Sequence, residues 1–181
     1  MKDAAFLAMR YGAASPTRVM FMSKPLTSFG QLDGAFWQRI VSNVIMIEIH
    51  STFTQTEHRW IKHALALTRH ALFMCDLDDR AIATALSVRR LLPKNATCTH
   101  LLDDEVVSHV SEAVTMRSPA RARRCVALAR KGGFGPVTQR MWQSGHVLHI
   151  EGASWENTQN ILQANVKRWL KASAPRKQAR A

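Results

Sequence analysis

Glu57-His58-Arg59-Trp60-Ile61-Lys62-His63-Ala64-Leu65-Ala66-Leu67-Thr68-Arg69-His70-Ala71-Leu72-Phe73-Met74 carries the strongest helical rhythm in this chain. Trp60, Ile61, Ala64, Leu65, Leu67 (with Thr68) and Leu72 form a wide apolar face, while Arg59, Lys62, Arg69 and His70 look outward. Apolar residues recurring at three and four positions are how a helix buries one stripe against a core. The stretch predicts a mainly α chain.

Capping chemistry extends that expectation downstream. Asp78 or Asp79 caps a helix from Arg80 to about Leu92, where Pro93 ends it. Asp103-Asp104-Glu105 opens another from Val106 to Met116, with acidic side chains favouring the positive end of the helix dipole. Ser118-Pro119 starts a helix running to Lys131, and Gly132-Gly133 stops it. Pro136 to Trp142 reads as helix, and Ser154 caps a last one to about Lys171. Upstream, residues 4–11 and the segment after Ser15-Pro16 read as two further helices, the second broken by Lys24-Pro25 and by Gly30 and Gly34, with a helical turn or two over 35–42. Val44 to Ile49 and Val147 to Ile150 are the two strand candidates. The expected class is mainly α: a helical domain with helix-turn-helix-like units and one or two short β-strands.

Charge divides the chain. Of 181 residues with a formal net charge of +12, residues 1–116 hold twelve Lys/Arg and eleven Asp/Glu. Residues 117–181 hold thirteen Lys/Arg against only Glu151 and Glu156. This predicts a near-neutral helical body over 1–116, serving oligomerisation or partner contact. A basic nucleic-acid-binding region follows over 117–171, with a disordered basic tail over 172–181. Such a field draws polyanions, whose condensed counterions are released on binding. The expected partner is nucleic acid, double-stranded DNA before RNA, bound by a homo- or hetero-oligomer. No apolar run of membrane-spanning length and no signal-peptide pattern appears, so the expected location is the cytoplasm, at the nucleoid. Cys75, Cys98 and Cys125 are odd in number and form no CxxC, the pattern of buried free thiols.

Residues 7–24 align without gaps on residues 128–145. Leu7/Leu128, Ala8/Ala129, Gly12/Gly133, Thr17/Thr138, Met20/Met141 and Ser23/Ser144 are identical. Both copies read as helix, glycine turn and proline-started helix: either a duplicated helix-turn-helix-like unit or a chance match between two αα-hairpins, which want the same residues. A third hint is Ile82-Ala83-Thr84-Ala85-Leu86-Ser87-Val88, followed by Arg89 and Arg90 where a recognition helix would begin, although Pro93 leaves it little room. Arginine suits both phosphates and guanine edges.

From about Trp60 to Val114 the layout resembles FlhD, of the FlhD/FlhC transcriptional-activator family of flagellar master regulators and mobile-element relatives. A long helix precedes Asp78-Asp79-Arg80-Ala81-Ile82-Ala83-Thr84-Ala85-Leu86-Ser87, and Thr97-Cys98-Thr99-His100-Leu101-Leu102 and another helix follow. The helix-glycine-helix units at Leu7–Gly12 and Leu128–Gly133 resemble FlhC. The resemblance implies a transcriptional activator acting in an oligomer. FlhC carries a four-cysteine zinc site, which three scattered cysteines do not supply.

Catalytic signatures are sparse. His58, His63 and His70 stand too far apart along one helix to share a metal, and His146-x-x-His149 lacks the cysteine or carboxylate company of a metal motif. Asp76, Asp78 and Asp79 suit a divalent ion but are explained more simply as helix caps. The glycine run Lys131 to Pro136 is no P-loop, though its amides could face a phosphate. Trp142, Trp155 and Trp169 read as core before base-stacking platforms. The expectation is therefore a non-enzymatic DNA-binding transcriptional regulator without cofactor or metal; the alternative is a non-catalytic RNA-binding component of a ribonucleoprotein assembly. The residues expected to meet nucleic acid are Arg89, Arg90, Arg117, Arg121, Arg123, Arg124, Arg130, Lys131, Thr138, Gln139, Arg140, Lys167, Arg168 and Lys171.

Overall fold

A computed structural model describes residues 17–22, 44–49, 56, 59, 62, 65–109, 114–115, 118–149 and 155–174. Its centre is a parallel sheet of four strands in the order β2-β1-β3-β4: β1 Arg18–Met22, β2 Ile45–Glu48, β3 His70–Met74 and β4 Thr97–His100. Helices α1 Asp79–Arg89, α2 Asp104–His109, α3 Pro119–Gly132, α4 Pro136–Gln143 and α5 Trp155–Ala172 surround it. A small antiparallel pair, β5 Val114–Thr115 with β6 His146–Val147, completes the described elements. The fold is mixed α/β, which overturns the mainly α expectation.

The reason lies in burial on both faces. Alternate strand residues point to opposite sides of a sheet. On one side Val19, Phe21, Ile47, Ala71, Phe73 and Cys75 pack with Ala85, Val88 and Leu92 of α1 and its exit. On the other, Met20, Met22, Met46, Leu72 and Met74 pack with Cys125 and Ala129 of α3, Trp142 of α4, and Leu162, Val166 and Trp169 of α5. Strands covered twice read as unbroken apolar runs, without the polar alternation that marks a half-exposed strand.

Two expected helices give way to strands. The helix after Ser15-Pro16 is replaced at Arg18–Met22 by β1. The helix of 57–74 keeps helical residues at 59 and 62, with 56 helical just before it, turns at 65–67, and enters β3 at His70. The internal echo fails for the same reason: Met20 and Phe21 lie in a strand, whereas Met141 and Trp142 lie in a helix. The helix of 106–116 ends early at His109, and Val114–Thr115 is strand. The expected helices at 4–11 and 35–42 lie outside the described residues. Val44–Ile49 holds β2, and α1, α3, α4 and α5 lie where capping placed them.

Packing does not stop at residue 116, since strands from the front and helices from the rear share one apolar cluster. Nor is the start of the tail loose. Ser173 is buried, and its carbonyl accepts Nε and Nη2 of Arg18 at 3.1 and 2.8 Å. Residues 175–181 of the expected tail lie outside the description. None of the three cysteines is in a disulfide; Cys75 and Cys125 are buried, and Cys98 is half-buried. Among the described residues no helix is long and apolar enough to cross a membrane.

Candidate functional site

Two features of the fold carry chemistry. The first begins where β3 ends, in Cys75-Asp76-Leu77-Asp78-Asp79. In an open parallel sheet, ligands collect at the carboxyl ends of the strands where the order reverses. Here β1 lies between β2 and β3, so the end of β3 is one wall of that position. Leu77 is pinned on both backbone atoms: its N–H donates to Leu148 O at 2.8 Å, and its carbonyl accepts the Trp142 indole N–H at 3.0 Å. This isolated antiparallel bridge sends Leu77 into the core and puts Asp76 and Asp78 on the opposite side.

Asp76 therefore faces the residue after Leu148. His149 Nδ1 lies 3.3 Å from Asp76 Oδ2. Ligand atoms of Asp76, Asp78 and His149 all fall within 4.8 Å of one another. Asp78 also N-caps α1, with Oδ1 accepting the Ala81 N–H at 2.7 Å. Asp79, buried, holds Arg121 of α3 through a hydrogen-bonded ion pair, and Arg124 stands 3.8 Å away. That carboxylate raises the pKa of Arg121 through the hydrogen bond and through its charge, with a contribution from Asp78. Burial, then Asp79 and Asp78, push the neighbouring Cys125 thiol up to about 11, so it is not a nucleophile at neutral pH.

The second feature is a cationic face. Asp79 meets Arg121 where α1 and α3 begin, and Leu86, Arg89, Arg90 and Lys131 line one groove of about 300 Å³ where they end. The helices thus run side by side in the same direction. On α3, Arg123, Arg124, Arg130 and Lys131 are exposed around Ala127, which is also exposed. Arg123 to Arg130 spans two turns, about 10 Å. Among the described residues no carboxylate pairs with Arg89, Arg90, Arg123, Arg130 or Lys131.

The remaining expected contacts divide sharply. Thr138 is buried and hydrogen-bonded to Asp104, and Gln139 Nε2 donates to Phe134 O at 2.8 Å. Thr138 is thus shut away from any ligand, while Gln139 is half-buried with one amide N–H engaged. Arg140 is exposed on α4. Within the glycine run the N–H groups of Gly133 and Phe134 both donate to Ala129 O, and just beyond it Asp104 takes those of Val137 and Thr138. Arg168 pairs with Glu105 at 3.0 Å, while Lys167 and Lys171 are exposed along α5. Arg117 lies outside the described residues. No recognition helix follows Arg89 and Arg90, since the chain turns and enters β4. Trp142 and Trp169 are core, as expected.

The sequence missed the carboxylate partner of His149, which is 73 residues away along the chain. A DxD directly after a β-branch-poor apolar run was the available sign, legible only once that run is recognised as a strand. Comparison with protein-family models, curated proteins and solved structures finds no match for this chain.

Proposed function

We propose that this protein binds the phosphate backbone of nucleic acid, duplex DNA first, along the exposed face of α3 and the end of α1. One observation carries the reading: Arg89, Arg90 and Lys131, from two helices, converge on a single groove. Like charges brought together repel, and an incoming polyanion relieves that repulsion while releasing its own counterions. Arg123 and Arg130 extend the same surface along α3. Because Thr138 is buried against Asp104 and the half-buried Gln139 is bonded to Phe134 O, the supported contacts are with backbone and not with base edges. A role in transcription, and the oligomer that would serve it, require in addition a preferred site.

The test is fluorescence anisotropy with a random-sequence duplex across a salt series. Five phosphate contacts correspond to a log–log salt slope of about −4 to −5. Replacing Arg89, Arg90 and Lys131 together by Ala should flatten the slope by about 3 and weaken binding on all sequences alike. An unchanged slope removes these residues from the interface, and no binding by the unaltered protein at low salt ends the proposal. Competitors read the finer question. A duplex site preferred by orders of magnitude supports a regulator, and preference for structured RNA supports a ribonucleoprotein component.

A further inference from the structure

We propose that Asp76, Asp78 and His149 hold one divalent cation of the Mn2+ or Zn2+ class at the end of β3. The site is independent of the nucleic-acid reading.

Geometry is the first support. Two donors bound to one tetrahedral ion at about 2.0–2.1 Å stand roughly 3.3 Å apart. The observed separation of His149 Nδ1 and Asp76 Oδ2 is 3.3 Å, and a ligand atom of Asp78 completes the triangle within 4.8 Å. Small side-chain rotations close the longer edge. Asp78 spends only Oδ1 on the α1 cap, so its second oxygen remains for a ligand.

The scaffold is the second support. Metal sites need ligands held by a rigid framework before the ion arrives. Asp76 and Asp78 flank Leu77, fixed at its N–H by Leu148 and at its carbonyl by Trp142, and His149 follows Leu148 on the bridged partner. A simple Asp–His hydrogen bond would need neither the third donor nor a DxD presented on one side of a pinned residue. The donor set chooses the class of ion: two carboxylates admit hard cations, and one imidazole shifts preference from Mg2+ or Ca2+ toward Mn2+ and Zn2+. Three protein ligands leave positions open to a further ligand, as in sites that act on a substrate and unlike closed structural ones.

The experiment is titration of the purified, untagged full chain with Mn2+, followed by loss of the free-ion paramagnetic resonance signal, and with Zn2+ against a chromophoric chelator. One equivalent should bind. Asp78→Asn should weaken it at least tenfold while keeping the α1 cap, because asparagine caps helices as well as aspartate does. His149→Gln should do the same, and Glu105→Gln, a carboxylate on α2, should change nothing. The metal-free unfolding midpoint of Asp78→Asn should stay near that of the parent. Equal binding by the parent and by the Asp78→Asn, His149→Gln double variant overturns the assignment, as does the absence of saturable binding to the parent.

Discussion

Asp104 Oδ1 accepts both the backbone N–H of Thr138, at 3.0 Å, and the Thr138 hydroxyl, at 2.8 Å. Its Oδ2 takes the N–H of Val137 at 3.0 Å. A carboxylate in the first turn of α2 thus caps α4, whose own N-cap residue, Gly135, has no side chain to offer. The pair joins two helices that local sequence treats as separate, and fixes the α3–α4 turn against the sheet edge.

Asp104→Ala removes all three bonds and leaves two amides and a buried hydroxyl without partners. The expected loss is about 2–3 kcal/mol, from cap and hydrogen-bond costs. Burial alone would raise the Asp104 pKa, but the bonds from Thr138 and Val137, helped by the charge of Arg140, outweigh it and hold the group below its ordinary value. A depressed carboxylate pKa stabilises the fold above the unfolded-state value and ceases to do so as pH falls through the folded-state one. Urea unfolding at pH 7 and pH 3 checks both points. The difference between parent and Asp104→Ala should shrink at pH 3, and a loss below about 0.5 kcal/mol at pH 7 refutes the cap.

Gly135→Ala tests the same cap from the other side. A Cβ there would lie 2.1 Å from Asp104 Oδ2. The backbone φ is −75°, open to any residue, so the cost is steric alone. Stability should fall by about 1–3 kcal/mol with Asp104 present and change little in the Asp104→Ala background. A double-mutant cycle reads this as coupling of at least about 1 kcal/mol. Additive effects would mean that the carboxylate moves aside freely.

His100 predicts acid sensitivity. Its ring stacks on Phe73 with centroids 5.5 Å apart and tilts against Phe134 at 4.2 Å. Burial, with the nearby Arg89, lowers its pKa from 6.5 to about 4. The unfolded chain then takes up the proton first, so this group's share of stability is complete above about pH 6.5 and drains away as pH falls toward 4. Between pH 7.5 and 5 the loss attributable to this group is about 2 kcal/mol. His100→Phe should remove that part of the slope in urea unfolding at the two pH values. An unchanged slope would place the proton elsewhere.

What the sequence disclosed follows the range of the forces involved. Helix boundaries at Asp78, Ser118-Pro119 and Gly133 rest on bonds between residues a few positions apart, and these were legible. Of the strands, β2 was legible at Val44–Ile49, while β1 and β3 were not. Arg18–Met22 and His70–Met74 are covered on both faces, and nothing local separates such a run from one side of a buried helix. The cationic residues were legible as composition. Their arrangement was not, because the pairing of Arg121 with Asp79 withdraws one arginine while the parallel course of α1 and α3 gathers Arg89, Arg90 and Lys131. His149 beside Asp76 needed the bridge between Leu77 and Leu148, a contact no spacing announces.

That bridge has a guarantor that is not itself a ligand. Trp142 is fully buried, and its indole N–H donates to Leu77 O at 3.0 Å, between the two aspartates. Trp142→Phe leaves this buried carbonyl unpaired and opens a void, at a cost of about 2–4 kcal/mol. The loop then loses one of its two backbone anchors, so Mn2+ affinity should fall severalfold along with stability. Val166→Ala, which trims the core at α5 but takes no part in either Leu77 hydrogen bond, should destabilise by about 1–3 kcal/mol yet leave ion affinity alone. Comparing Mn2+ titrations of the two variants separates positioning from general loosening. If both bind as the parent does, the Trp142 hydrogen bond serves stability only.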